Sequence, residues 1–291
     1  MSVAPDEEAE EQPLLAPPLE QGPPAGAPWD LALAEVPLAF LDLEMTGLDT
    51  RLHHVCELAV RRVRGGVVED ELVSLVRPGS AVTASREIHG LDDEMLAGAP
   101  ALATLAPRLD ALLDGAVLVG HGLASDLAFL EAASARGELA PPPRFALDTL
   151  PLARRALFAT SYKLGALAAS LGLPIPAHRA LADVVTTIAL FEHVCHELRA
   201  PTPRTLWQVR AGEERASMRD DVRASLERAL ATTGHARLRY RVPQRHPFED
   251  VIRIRKLEPA HVEGRLLRGG NLRRLRGDRI LWAEVAERPA K

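Results

Sequence analysis

The stretch Phe40-Leu41-Asp42-Leu43-Glu44-Met45-Thr46-Gly47-Leu48 constrains the fold of this chain more than any other. An apolar run carries two carboxylates two residues apart and then stops at a Thr-Gly turn. Successive residues of a strand face opposite ways, so Asp42 and Glu44 share one face, with Leu41 and Leu43 on the other. Two acids side by side on a largely buried strand repel each other and lose hydration. A divalent cation relieves both costs, so the run predicts a strand that delivers a pair of metal ligands.

The chain has 291 residues, room for one domain of ordinary size and a smaller one. Charge is divided unevenly. Residues 201–291 hold 21 Lys and Arg against 12 Asp and Glu, while the remainder holds 14 against 28, for a total of −5. An acidic body followed by a basic piece predicts a cation-binding part joined to an anion-binding part. Cys56 and Cys195 have no disulfide-like or metal-like spacing and are expected as reduced thiols of a cytoplasmic protein. No apolar stretch reaches the ~18 residues of a membrane span, and the acidic N-terminus lacks the basic start of a secretory signal.

Residues 1–34 are proline-rich and acidic and read as a disordered tail, with order starting near Pro37. Residues 38–42, 55–63 and 67–76 read as strands, the last two joined by an Arg64-Gly65-Gly66 hairpin turn. Helical periodicity covers 101–113, a buried strand 116–120, a helix 127–135 and a short strand 145–147. Helices follow at 150–157, 164–171 and 180–198. Strands leading into helices make residues 35–200 a layered α/β domain with a mixed sheet. Pro201 and Pro203 open a segment at 201–232 read as linker and helix, and 233–291 reads as a small basic β-rich domain, a barrel or sandwich.

Two further acids fall at telling positions. Asp126 follows the strand end Val119-Gly120-His121, in the first turn of a helix, and Asp183 follows His178 at the start of the 180–198 helix. Five residues turn a helix by about 500°, so a helical His178 faces away from Asp183 and is expected on the preceding loop instead. Taken singly each has an ordinary reading. Asp126 is an acid favourable at a helix N-terminus, Asp183 a solvated helix position and His178 a loop histidine. Their order and spacing single them out.

With these residues in hand, the chain resembles the DEDDh-type 3′–5′ exonucleases, the family of the proofreading subunit of bacterial DNA polymerase III and of ribonuclease T. Asp42, Glu44, Thr46 and Gly47 match its D-x-E-x-T-G motif, Asp126 its second motif, and His178 with Asp183 its H-x-x-x-x-D motif. Ile88-His89-Gly90-Leu91 and Asp148-Thr149-Leu150 match connecting segments, and the likeness spans residues 37–198. The resemblance implies an RNase H-like α/β fold and hydrolysis of phosphodiesters at nucleic-acid 3′ ends. It also implies two divalent ions, Mg²⁺ or Mn²⁺, on Asp42, Glu44, Asp126 and Asp183, with His178 as general base. Carboxylates suit such hard cations, and histidine is the side chain that exchanges a proton near neutral pH. Thr46, Gly47 and His89 are expected against the terminal nucleotide. The implied partner is the single-stranded or frayed 3′ end of DNA, with a DNA polymerase or repair complex as an open association.

The second motif departs from the family pattern: Gly122 stands for an asparagine and Ser125 for an aromatic residue. Loss of that ring removes a stacking surface for the substrate's last bases. The first motif is also close to that of oligoribonucleases, so an RNA-trimming enzyme is the first alternative and a nucleic-acid-binding regulator the second. Residues 233–291 resemble WYL domains through Leu238-Arg239-Tyr240 and Leu275-Arg276-Gly277-Asp278-Arg279-Ile280, without the W-Y-L triplet. There Arg273, Arg274, Arg276 and Arg279 are candidate phosphate contacts.

Overall fold

The computed structural model describes residues 22–82, 85–215 and 218–287. β1 (Leu38–Met45), β2 (Val55–Arg64) and β3 (Val67–Leu75) form an antiparallel meander. Two short helices, α1 (Arg86–His89) and α2 (Asp93–Leu96), lead to α3 (Leu102–Leu113), β4 (Val117–Gly120), α4 (Ala124–Ala135) and β5 (Ala146–Asp148). β4 and β5 add in parallel on the other side of β1, giving a mixed sheet of order β3-β2-β1-β4-β5. α5 (Thr149–Ala156), α6 (Leu164–Leu171) and α7 (Ala180–Leu198) complete this unit.

Helices cover both faces of the sheet, and β1 is apolar on both for that reason. Leu38 and Phe40 join a core with Leu152, Val184 and Phe191 of α5 and α7. Ala39, Leu41 and Leu43 join a second core with Leu109, Leu112, Phe129 and Leu130 of α3 and α4. Asp42 and Glu44 continue the face of Leu38 and Phe40, which turns them toward α7.

The tail expected over 1–34 does not hold for residues 22–34, which pack on the body; residues 1–21 lie outside the described residues. Trp29 is 5% exposed and sits edge-on to Phe145, which in turn meets Trp207. Leu33 donates its N–H to the Pro201 carbonyl, and Asp30 pairs with Arg204. One large aromatic, which typically buries some 150–250 Å², anchors this segment together with Leu31 and Leu33.

The segment 201–232 contains the expected helix, but the linker expected before it is helical as well. The segment forms α8 (Pro203–Arg215) and α9 (Asp220–Thr232), which belong to different cores. Leu206 and Val209 of α8 pack into the first unit, while Val222, Leu226 and Ala229 of α9 cover a second sheet. That sheet is neither barrel nor sandwich. β6 (His235–Tyr240), β7 (Phe248–Leu257), β8 (His261–Leu266), β9 (Leu272–Arg276) and β10 (Ile280–Val285) make one antiparallel sheet of order β10-β6-β7-β8-β9. Strand β9 lies in the arginine cluster, where no strand is expected from the sequence. The two units are not separate, because Leu281 and Trp282 of β10 enter the first core and Arg155 of α5 reaches the buried Asp278 at 3.6 Å. Both cysteines are free thiols, and no helix of the described residues is long and apolar enough to cross a membrane.

Candidate active site

The site forms at the end of β1 because its two neighbours run out at different points. β4 pairs with β1 only as far as Phe40↔Val119 and stops at Gly120, so the Leu43 N–H has no strand opposite it. Asp126, in the first turn of α4, fills the gap: its carboxylate accepts the Leu43 N–H at 3.1 Å. On the other face α7 brings Asp183 in its first turn against β1. One carboxylate oxygen each from Asp42, Glu44 and Asp183 lie within 4.8 Å of one another. The structure therefore gathers three of the four expected acids into one cluster and places Asp126 beside them, bound to the same strand.

The acids outnumber the cations beside them: Arg179 acts on Glu44 but is paired with Glu57. Burial, then Asp126, Asp183, Glu44 and Glu57, hold the Asp42 carboxyl well above the ordinary carboxylate range. Burial, then Asp183 and Glu57, push Glu44 up to about 7, and burial pushes Asp126 up to about 7. Asp183 is also raised by burial, held back by the Ala177 N–H that its carboxylate accepts at 3.1 Å. Acids that prefer to keep their protons near pH 7, with hard oxygen donors converging, fit a divalent metal centre. His178 lies on the loop before α7, as helix geometry leads one to expect, and is exposed, with φ 51°.

The expected nucleotide-facing residues are placed differently from one another. Thr46 is fully buried, and its hydroxyl contacts Ser80 Oγ at 2.9 Å, His53 Nδ1 at 3.3 Å and the His54 N–H at 3.1 Å. It pins the turn rather than offering a free hydroxyl. Gly47 is required by space: a Cβ there meets the His53 ring at about 2.5 Å. His89 is 5% exposed; its Nδ1 accepts the Leu91 N–H at 3.0 Å and its ring also bonds the Met45 carbonyl, so it supports the turn from the buried side. His53 and His54 are also parts of this anchor.

Gly122 has φ 72°, and the Asp148 carboxylate accepts the N–H groups of Gly122, Leu123 and Leu150. Asp148 thus fixes the second-motif turn and caps α5. A cavity of 850 Å³ opens from His178 and Asp183, lined also by Arg154, Tyr162, Lys163 and Ile175. Sequence reasoning missed Glu57 and Arg179. Glu57, on β2 opposite Glu44, is 3% exposed and receives the Arg179 guanidinium at 2.8, 3.0 and 3.2 Å. Their only sequence signal is a carboxylate inside the apolar run at 55–60.

An exonuclease family profile (RNase T) matches residues 39–191. The chain belongs to this exonuclease family. The exonuclease is 31% identical over 163 residues to the DNA polymerase III subunit epsilon of Aquifex aeolicus, covering 54% of this chain and 80% of that one. It is 30% identical over 164 residues to the DNA polymerase III PolC-type of Thermotoga maritima, covering 56% of this chain but only 12% of that much longer protein. E. coli exonuclease I, in its zinc-bound complex with single-stranded DNA, superposes with TM-score 0.53 at 16% identity, over 79% of this chain and 54% of that one. Fold and family agree on an RNase H-like nuclease, an enzyme of a metal-dependent family.

The four arginines of the C-terminal cluster do not form one free patch. Arg274 pairs with Glu258 at 2.8 Å and Arg276 with the buried Asp278 at 3.0 Å. Arg273 and Arg279 have no ion-pair partner among the described residues. Arg253 and Arg265 face each other across β7 and β8, exposed and likewise unpaired among the described residues.

Proposed function

We propose that this chain is a 3′–5′ exonuclease that removes nucleotides from DNA ends, with two divalent cations, Mg²⁺ or Mn²⁺, held by Asp42, Glu44, Asp126 and Asp183. The observation that carries the reading is the convergence of three carboxylates within 4.8 Å, with a fourth on the adjoining backbone. Bound there, such ions polarise a phosphodiester and make an attacking water more acidic. His178 is exposed at the mouth of the cavity and takes the proton that the water loses. The Gly47 turn and the cavity lined by Arg154 and Lys163 receive the strand, the cations meeting its phosphates. The polymerase III names of the relatives support DNA as the substrate and a polymerase or repair complex as the partner. The basic second sheet supports a strand-holding role for that unit.

The test is cleavage of 3′-labelled single-stranded DNA, of duplex DNA with a mismatched 3′ end and of a short RNA. Each is run with Mn²⁺ and with EDTA, for wild type and Asp42→Ala. Stepwise metal-dependent shortening of DNA from the 3′ end, absent in the variant, is the expected result. Preferential shortening of the RNA turns the reading to RNA turnover, and binding without cleavage of any substrate overturns it.

A further inference from the structure

The loop that carries His178 is held from both sides, upstream by Asp183 of the acid cluster and downstream by Glu57 of β2. Upstream, the Ala177 N–H is bound by the Asp183 carboxylate at 3.1 Å. Downstream, the Glu57 carboxylate takes both the Arg179 guanidinium and the Ala180 N–H, the latter at 3.1 Å. Between these anchors His178 has φ 51°, the left-handed region, which costs a non-glycine residue about 1–2 kcal/mol. Such a conformation persists only where the surroundings over-determine it. The exposed His178 ring has no hydrogen-bond partner among the described residues, so the backbone alone aims it.

Stability by itself is a poor account of this arrangement. The N-terminus of α7 can be capped by a neutral Ser or Thr at little cost. Instead the chain buries a carboxylate directly opposite Glu44, where it adds to the repulsion inside the cluster. The Arg179 side chain is 45% exposed, and an ion pair with one partner desolvated and the other in solvent is a weak stabiliser. What the pair does supply is geometry: a two-pronged guanidinium–carboxylate contact fixes direction as well as distance. Glu57 is also one strand away from Asp42 and Glu44, so the loop is measured from the strand pair that carries the metal ligands.

We infer that the Glu57–Arg179 pair is a positioning device that holds the His178 backbone in its left-handed conformation and so presents the imidazole to the attacking water. The inference rests on the proposed function, in which His178 is the base. Neither Glu57 nor Arg179 touches the reacting atoms in it; both act through His178.

A double-mutant cycle tests it. Arg179→Lys keeps the positive charge beside the acids and removes the fork. It is expected to lower kcat by about tenfold or more, since small displacements of a catalytic group are costly, with KM changed less than about twofold. Mn²⁺ affinity without substrate, read from the paramagnetic resonance of free Mn²⁺, is expected to stay within about twofold. On a His178→Ala background the same substitution is expected to cause no further loss. The pair Glu57→Gln with Arg179→Gln removes both charges at near-constant volume and carries the same cycle if Arg179→Lys does not fold. An additive loss on the His178→Ala background, or weakened Mn²⁺ binding in parallel with kcat, overturns the inference while leaving the nuclease intact. A wild-type protein without metal-dependent cleavage, or His178→Ala as active as wild type, overturns the proposed function and this inference together.

Discussion

The two sheets of this protein handle charge in opposite ways. At the end of β1, acids are concentrated, largely buried and outnumber the cations beside them, so Asp42, Glu44 and Asp126 are all pushed above the usual carboxylate range. On the second sheet the charges are exposed and mostly matched: Arg237 with Glu284, Arg239 with Glu249, Arg255 with Glu263, and Lys256 and Arg274 with Glu258. Exposed pairs of that kind are worth about 0–1 kcal/mol and describe a solvated face. Buried charge without a partner is expensive, and a fold keeps it where a ligand is to supply the compensation. The contrast separates residues kept for chemistry from residues kept for solubility better than the total of either charge does.

The largest effect that can break this comparison is loss of a cluster acid. Asp42→Ala or Asp183→Ala is expected to lower exonuclease kcat by at least about 10³-fold, whereas the metal-free Asp42→Ala protein unfolds at an equal or higher temperature because repulsion has been relieved. A variant that loses both activity and stability marks the acid as structural. His178→Ala comes next, with an expected loss of about 10²- to 10⁴-fold in kcat and unchanged Mn²⁺ binding.

The pH response follows in size. Glu44 and Asp126 titrate near 7 when folded, against an unfolded carboxylate near 4. Between those values the folded state holds more protons than the unfolded one, so the stability of the metal-free protein is present at low pH and lost as pH rises through about 7. Thermal melts from pH 5 to 8 in EDTA are expected to fall, and saturating Mn²⁺ at pH 8 is expected to recover the loss. A flat profile in EDTA denies that the acids are uncompensated.

The smallest effects belong to the second sheet. The Arg253 and Arg265 pair is the place where like charges stand opposite each other, an arrangement that disfavours the sheet on its own. Replacing both by Ala is expected to weaken single-stranded DNA binding and to reduce its salt slope by about 1.4, at about 0.7 per phosphate contact. Arg274→Ala, which removes a residue already paired with Glu258, is expected to change stability by less than about 0.5 kcal/mol and the salt slope little. Equal effects from the two substitutions erase the distinction between free and paired arginines.

What could be read in the sequence had a local cause. The i, i+2 acids of β1, the Gly65-Gly66 hairpin, the buried run of β4 and the long stripe of α7 each follow from the period of one element. Even the loop placement of His178 came from helix geometry. Elements that escaped detection did so where local signals mislead. Pro203 looks like a break, yet it opens α8 at the first helical position, where its missing N–H costs nothing. Strand β9 is Leu272-Arg273-Arg274-Leu275-Arg276, too charged to look like a strand, and an edge position lets it carry those arginines. Trp29 lies in a proline-rich segment whose composition argues for disorder, and it folds because Phe145 and Trp207 supply a partner surface.

By itself the sequence determined the residue types and spacings from which a cation-binding exonuclease site can be built, since strand and helix periods decide which side chains share a face. Only the tertiary structure decided what those residues do to one another. Asp126 binds Leu43 because β4 stops short of it, Glu57 meets Arg179 across 122 residues of chain, and Thr46 is consumed in holding the turn rather than left free. Desolvation and close approach are properties of packed atoms, and no local pattern encodes which distant segment will supply them.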